Sequence, residues 1–380
     1  MSDKPAAFIY SPRLEEISYP PEHPFNTSRA KKTREVINSM GLLTSPDRIE
    51  VPPEPADRIV LKKFHSARYL HTLQNASKGQ WDYEALKMGL GTTECPVFKG
   101  VYEYAILAVG ATITAAQLIL DGKASVAFNP SGGFHHAHPE LAAGFCYIND
   151  VALACEVFAE KGKKVLYLDV DVHCGDGIAA FFYERSDVMT ISLHQNPKTL
   201  FPGTGFENEI GKGKGKGYCV HVPLPIGTYD EAYLLAIKDV VLPLIGAFKP
   251  DVFVFELGAD ALAGDPLANL RLTNNVYQDI IHYLLAFKKP ILMTGGGGYN
   301  VPNTVRAWAL GWSALCGADS ELDANMLMGG IMLQTTEWHG GLRDRELPVN
   351  SQQRDAVMPA LTATLDTLKS ALFPIHGLKL

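Results

Sequence analysis

Val165-Leu-Tyr-Leu-Asp-Val-Asp-Val-His173 is the stretch from which the fold can be read. Residues 165–168 are apolar throughout and read as a buried strand. Asp169, Asp171 and His173 follow at its C-terminal end, with Val170 and Val172 between them. Side chains of extended backbone alternate between faces with period two. The two aspartates and His173 therefore share one face, while both valines turn into packing. Burying three such groups together is costly unless a cation or strong hydrogen-bond donors meet them. The plainer alternative is a structural ion pair at a strand end.

Similar apolar runs recur at 125–128, 188–193, 218–222, 252–255 and 290–293. Helical patterns lie between many of them. Asn149-Asp150 is placed to cap a helix through Lys161, residues 229–248 read as another, and Asn274-Asn275 is placed to cap a third through Lys288-Lys289. Strands that are apolar on both faces and separated by helices imply an α/β fold, a parallel sheet covered on both sides. With neither an internal repeat nor a long linker, 1–380 reads as one domain. Beyond Gly317 the strand signal fades into an irregular segment, and residues 352–372 read as a closing helix.

Composition narrows the class. The chain has 380 residues, 47% of them hydrophobic, enough for a large core. A net charge of −7 disfavours a general nucleic-acid surface. The six cysteines (Cys95, Cys146, Cys155, Cys174, Cys219 and Cys316) form no C-x-x-C pair, which suits a reducing, cytoplasmic setting. Met1-Ser-Asp-Lys-Pro5 lacks the layout of a secretory signal. The greasiest run, 105–120, carries Thr112, Thr114 and Gln117 and falls short of the roughly 20 apolar residues of a membrane span, so it reads as a core helix.

In parallel α/β sheets, ligands bind at the C-terminal ends of the strands. Here those ends carry His135-His136, the Asp169/Asp171/His173 face with Asp176, His194 with Phe201-Pro-Gly-Thr-Gly205, Gly258-Ala-Asp260, and Gly295-Gly-Gly-Gly-Tyr299. Five such loops together favour a metal hydrolase site. Asp171, His173 and Asp260 can supply three ligands and leave positions open. A metal there would polarise a carbonyl and acidify its water. His135 and His136 offer acid–base groups near neutral pH. Asp169 and Asp176 remain to orient them, and the Tyr299 hydroxyl can face a developing oxyanion.

These motifs, with Gly133-Phe-His-His-Ala137, Gly144-Phe-Cys-Tyr-Ile-Asn-Asp150, Gly175-Asp-Gly177 and Gly264-Asp265, resemble the zinc-dependent histone deacetylase family. The pattern is most similar to the bacterial histone-deacetylase-like and acetoin-utilization-type proteins, and runs in order over 23–312. The resemblance implies an arginase-like three-layer fold with an eight-stranded parallel sheet, and hydrolysis of acyl groups from lysine side-chain amides. Matched by position, Asp171, His173 and Asp260 would hold Zn2+ (or Fe2+). His135 would pair with Asp169 and His136 with Asp176, with His136 as the proton-transfer residue and His135 electrostatic. Tyr299 would bind the amide oxygen. Phe145 and Phe201, with Gly144 and Leu267, would line a tunnel for the lysine stem, and Arg29 would lie behind the site. A structural K+ or Na+ would be held by Asp169 and Ser192 with carbonyls of Asp171, His173 and Leu193. A second would sit among carbonyls of Phe182, Arg185, Val188 and Tyr218.

Two positions depart from the family pattern. Cys174 stands where a second histidine is usual, and by alternation it should face away from the metal. A thiol so close to a metal site also raises sensitivity to oxidation. Glu94 stands where eukaryotic members commonly have an aspartate at the rim, which leaves peptides and small amides both open as substrates. Other features are read more plainly. Lys212-Gly-Lys-Gly-Lys-Gly217 lacks the Walker pattern and reads as a solvated loop. Gly295–Gly298 lacks the dinucleotide fingerprint. His194 reads as structural or as a support for the site, and His138, His221, His282, His339 and His376 as surface or core residues. An acetylpolyamine or other small-molecule amidohydrolase is the alternative function. A binuclear ureohydrolase would need ligands where the chain has His-His and Tyr299, and a silent acyl-lysine binder would have no need of an activated water. No feature of the sequence fixes the oligomeric state.

Overall fold

A computed structural model of the chain describes residues 4–80, 82–319 and 341–380. Its frame is one eight-stranded sheet: β1 (Ala6–Ile9), β2 (Arg48–Val51), β3 (Val126–Asn129), β4 (Val165–Asp169), β5 (Val188–Gln195), β6 (Cys219–Leu224), β7 (Val252–Glu256) and β8 (Ile291–Thr294). The spatial order is β2-β1-β3-β8-β7-β4-β5-β6 and every pairing is parallel. Six strands coincide with the six apolar runs. The other two were invisible to pattern reading. Ala6-Ala-Phe-Ile9 is too short to show a period. Arg48-Ile-Glu-Val51 is half polar because β2 is an edge strand with one side open to water.

Alternation along the strands feeds two cores. Phe8, Phe128, Leu166, Leu168, Phe253 and Met293 point to one side of the sheet. Ile9, Ala127, Tyr167, Val254 and Leu292 point to the other. Trp312 closes the first core: its ring lies 6.4 Å from that of Phe128 and 5.4 Å from that of Phe8, and its Nε1 donates to the Leu42 carbonyl at 3.1 Å. Trp312→Ala is expected to cost about 3–5 kcal/mol of stability, read as a lower denaturant midpoint at unchanged slope. An unmoved midpoint would show that this contact set is dispensable.

The helices follow their local chemistry. Asn149 Oδ1 accepts from the Ala152 amide and opens the helix Asp150–Ala159. The apolar run becomes the helix Val101–Leu120, which is long and apolar enough to cross a membrane by length and composition; it packs on the helix Asp150–Ala159 and on β3. The 229–248 segment is helical but interrupted by a wide turn at Ile237–Val241. Pro243 cannot donate and crowds the carbonyl four residues back, and the widened turn relieves that clash. Asn274 precedes the helix Asn275–Ala286 without capping it. Its side chain donates to the Leu342 carbonyl at 2.7 Å instead, and its amide to Asp344 at 2.9 Å, tying the C-terminal segment to the start of that helix. The closing helix, Ser351–Leu372, starts from an Asn350 cap. Much of the segment read as irregular, together with His339, lies outside the described residues.

Candidate active site and metal centre

The ladder of β4 ends at Asp169, yet the alternation continues through the loop that follows. Val170 and Val172 are fully buried in the core. The turn is held by two of its own carboxylates and by that of Asp260. Asp169 Oδ1 accepts from the Asp171 amide at 3.0 Å, Asp171 Oδ1 from the His173 amide at 2.9 Å, and Asp260 Oδ1 from the Val172 amide at 2.8 Å. His173 Nδ1 is left 3.1 Å from both Asp171 Oδ1 and Asp260 Oδ2. The fourth partner is backbone: the Gly297 amide donates to Asp171 Oδ2 at 2.6 Å. A Cβ on Gly297 would lie 1.9 Å from Asp260 Oδ2, so only glycine lets this turn approach so closely.

This cluster is electrostatically demanding. Burial pushes Asp260 up to about 7, with the charge of Asp171 adding to the shift. Burial alone would pull His173 down, but the two carboxylates outweigh it and raise the ring to about 10. A proton on His173 thus stands where a cation would sit. Two carboxylates and an imidazole nitrogen, nearly all of their surface buried, form a donor set suited to Zn2+ or another borderline divalent ion. Metal and proton compete for it, so affinity falls in acid.

Two histidine–carboxylate pairs flank the cluster. His136 Nδ1 is 2.7 Å from Asp176 Oδ1, and Asp176 Oδ2 is 3.1 Å from His138 Nε2. His135 Nδ1 is 2.9 Å from Asp169 Oδ2 and 3.1 Å from Glu256 Oε1, and the two histidines meet at Nε2, 3.0 Å apart. Their electrostatics diverge. Burial lowers His136 to about 4, helped by the charge of His135. Burial also opposes the charge on His135, but Glu256 and Asp169 overcome it and hold that ring well above the usual histidine range. Tyr299 is positioned through its amide, which donates to Asp265 Oδ2 at 2.7 Å, and burial pushes its hydroxyl well above the ordinary value.

Comparisons with known proteins bear on the family and the fold. Residues 23–315 match the histone deacetylase domain. The chain belongs to the histone deacetylase family. Histone deacetylase 8 of Xenopus tropicalis is 41% identical over 282 residues, covering 74% of this chain and 76% of that protein. The acetoin utilization protein AcuC of Bacillus subtilis is 38% identical and covers 83% of each. The crystal structure of a histone deacetylase homologue from Aquifex aeolicus superposes with a TM-score of 0.82 at 31% identity, over 96% of this chain and 100% of that one. A homologue complexed with SAHA superposes equally well, over 97% and 100%. The chain is therefore a deacetylase of the arginase/deacetylase superfamily, with the three-layer α/β fold.

In this deacetylase aromatic rings border the cluster. Phe201 is 38% exposed, and its ring lies 5.0 Å from His136 and 6.4 Å from His173. Phe145 lies 5.7 Å from Tyr299. Gly144 sits between them, and a Cβ there would come 2.3 Å from the His136 ring. Leu267 is half-buried beside Asp265, whose Oδ1 accepts its amide at 2.9 Å. At the rim, Glu94 Oε2 accepts from the Gly144 amide at 3.3 Å, and its carbonyl contacts His23 at 3.1 Å. Arg29 lies behind the site, donating to the Gly298 carbonyl at 2.8 Å with its guanidinium over the rings of Phe25 and Trp308.

Asp169 and Ser192 face each other across β4 and β5, with Leu193 next along β5. Elsewhere the Phe182 carbonyl accepts the Arg185 amide at 2.9 Å and the Tyr218 carbonyl accepts the Thr190 amide at 2.9 Å. Sequence reading missed Glu256 and the part played by His138. Glu256 ends an apolar run, Val-Phe-Val-Phe-Glu, just as Asp169 ends its own, and it is the register partner of Asp169. Tyr167 holds it by donating to Oε2 at 2.6 Å. That shared pattern was the available signal.

Proposed function

We propose that this enzyme removes acetyl or related acyl groups from lysine side-chain amides, using Zn2+ (or Fe2+) held by Asp171, His173 and Asp260. The observation that carries the reading is the convergence of that buried donor set with two histidine–carboxylate pairs and Tyr299 below the Phe145 and Phe201 rings. The metal would supply Lewis acidity to the amide carbonyl and to its attacking water.

The chain's own residues divide the remaining work. His136 donates Nδ1–H to Asp176, which leaves Nε2 as the basic nitrogen. Kept neutral, it accepts a proton from water and returns it to the leaving amine. His135, kept charged by Glu256 and Asp169, places positive charge 3.0 Å from that nitrogen and so favours negative charge at the reacting carbonyl. Tyr299, held protonated, donates its hydroxyl to the developing oxyanion. Phe145, Phe201, Gly144 and Leu267 enclose the methylene stem of the substrate, and Glu94 receives hydrogen bonds from its backbone.

We place a structural K+ or Na+ at Asp169 and Ser192 with the carbonyls of Asp171, His173 and Leu193, and a second among the carbonyls of Phe182, Arg185, Val188 and Tyr218. Six buried free cysteines suit a reducing cytoplasm.

The test is acyl release from an acetyl-lysine peptide and from acetylputrescine in parallel, before and after chelation and Zn2+ re-addition. Metal-dependent cleavage of the peptide is the expected result. Preference for acetylputrescine would transfer the function to small amides. Tyr299→Phe is expected to lower kcat by about 10²–10³ with KM little changed. A loss confined to KM would mean that the hydroxyl serves binding rather than the transition state.

A further inference from the structure

A second cluster with metal-binding chemistry lies next to the first and shares none of its side chains. Cys174 follows β4, His194 lies on β5 and His221 on β6, and one ligand atom from each falls within 4.8 Å of the others. All three are buried. Cys174 Sγ is 3.4 Å from His221 Nδ1. His194 Nε2 donates to the Gly205 carbonyl at 2.8 Å, and its Nδ1 accepts from Ser192 Oγ at 2.9 Å. Gly205 covers the cluster, since a Cβ there would lie 2.5 Å from Cys174 Sγ and 2.7 Å from His194 Nε2.

We propose that Cys174, His194 and His221 form a second cation site, selective for a thiophilic ion such as Zn2+, whose occupancy restrains the Phe201–Gly205 loop. One thiolate and two imidazoles are a zinc-type donor set, whereas the Asp171, His173, Asp260 set holds no sulfur. Binding releases the Cys174 thiol proton to solvent. His194 frees Nε2 for the ion and carries its proton on Nδ1 instead, where Ser192 Oγ turns from donor to acceptor. The Gly205 carbonyl loses its present partner and is free to approach the ion. Because the loop ending at Gly205 carries Phe201, whose ring is 5.0 Å from His136, an ion held here acts on the cleft and slows turnover. The competing description is a hydrogen-bonded core cluster that binds nothing. Cys219 supports that description through its 3.2 Å contact to His221 Nε2, but it approaches the opposite edge of the ring and is not counted among the ligands.

The full-length chain, stripped of metal, is titrated with Co2+ and followed by dialysis stoichiometry and by the near-ultraviolet thiolate-to-cobalt charge-transfer band. The proposal expects two equivalents and a band. Cys174→Ser should keep one equivalent and lose the band, and Cys219→Ser should keep both equivalents and the band. Cys174→His, if the serine variant folds poorly, should keep two equivalents without the band. Inhibition by excess Zn2+ should require about tenfold or more ion in Cys174→Ser. A single equivalent in the wild-type chain, or a band that survives Cys174→Ser, would overturn the proposal. Neither result bears on catalysis at the sulfur-free site.

Discussion

Asp260→Asn is expected to cost the enzyme one equivalent of bound metal and to reduce amide hydrolysis to background. The substitution is conservative in shape, and its carbonyl oxygen can still accept from the Val172 amide, a contact of 2.8 Å in the native chain. What disappears is the charge at Oδ2, beside His173 Nδ1. The site then offers one carboxylate and one imidazole to a divalent ion, and an amide oxygen is a far weaker ligand. Loss of the ion removes the Lewis acid, to which several kcal/mol of transition-state stabilisation are due. The fold should persist, because the substitution removes a buried charge: burial first, and the repulsion of Asp171 second, already raise Asp260 to about 7. Metal content per chain, turnover at saturating Zn2+ and a thermal melt check the prediction together. Full metal content with activity within about tenfold of wild type would remove Asp260 from the ligand set.

The second large effect falls on His136. His136→Ala is expected to lower kcat by about 10²–10⁴, the range of a lost general base and acid, with metal content unchanged. The equivalent change at His135 should lower kcat less and keep the acid limb, moved to higher pH because the charge of His135 helps to lower His136. The sign follows from the shifts. In the proposed mechanism His136 works in its neutral form, and burial with the neighbouring charge lowers it to about 4. Its contribution is therefore present at neutral pH and is lost as pH falls toward about 4. In that mechanism His135 works as a cation, and its raised value favours the charged form through the same range. A pH–rate profile at saturating metal distinguishes the two: the His136 variant should lose the acid limb due to this group. If His135→Ala is the variant that abolishes the limb, the two roles are exchanged.

The motifs could be read because the chemistry sits at strand ends. An apolar run of the 165–168 kind can be recognised without neighbours, and period-two alternation then places Asp169, Asp171 and His173 on one side whether or not the ladder continues. The glycine turn before Tyr299 was equally visible. What it does was not. In the fold, the Gly297 amide reaches Asp171, a residue 126 positions earlier in the chain. The same limit applied to Glu256. Its place beside His135 depends on β7 lying next to β4, a pairing between strands far apart in sequence.

By itself the sequence determined that histidines, carboxylates and a tyrosine follow the strands of a parallel sheet, because periodicity and side-chain type are local properties. The tertiary structure alone decided that His135 is pushed toward its charged form and His136 toward its neutral one. That difference arises from which carboxylates the strand order brings to each ring, at distances where a neighbour's charge outweighs the cost of burial. The meeting of Cys174, His194 and His221 beneath Gly205 was decided in the same way. The three come from separate segments, and only the adjacency of β4, β5 and β6 makes them one site.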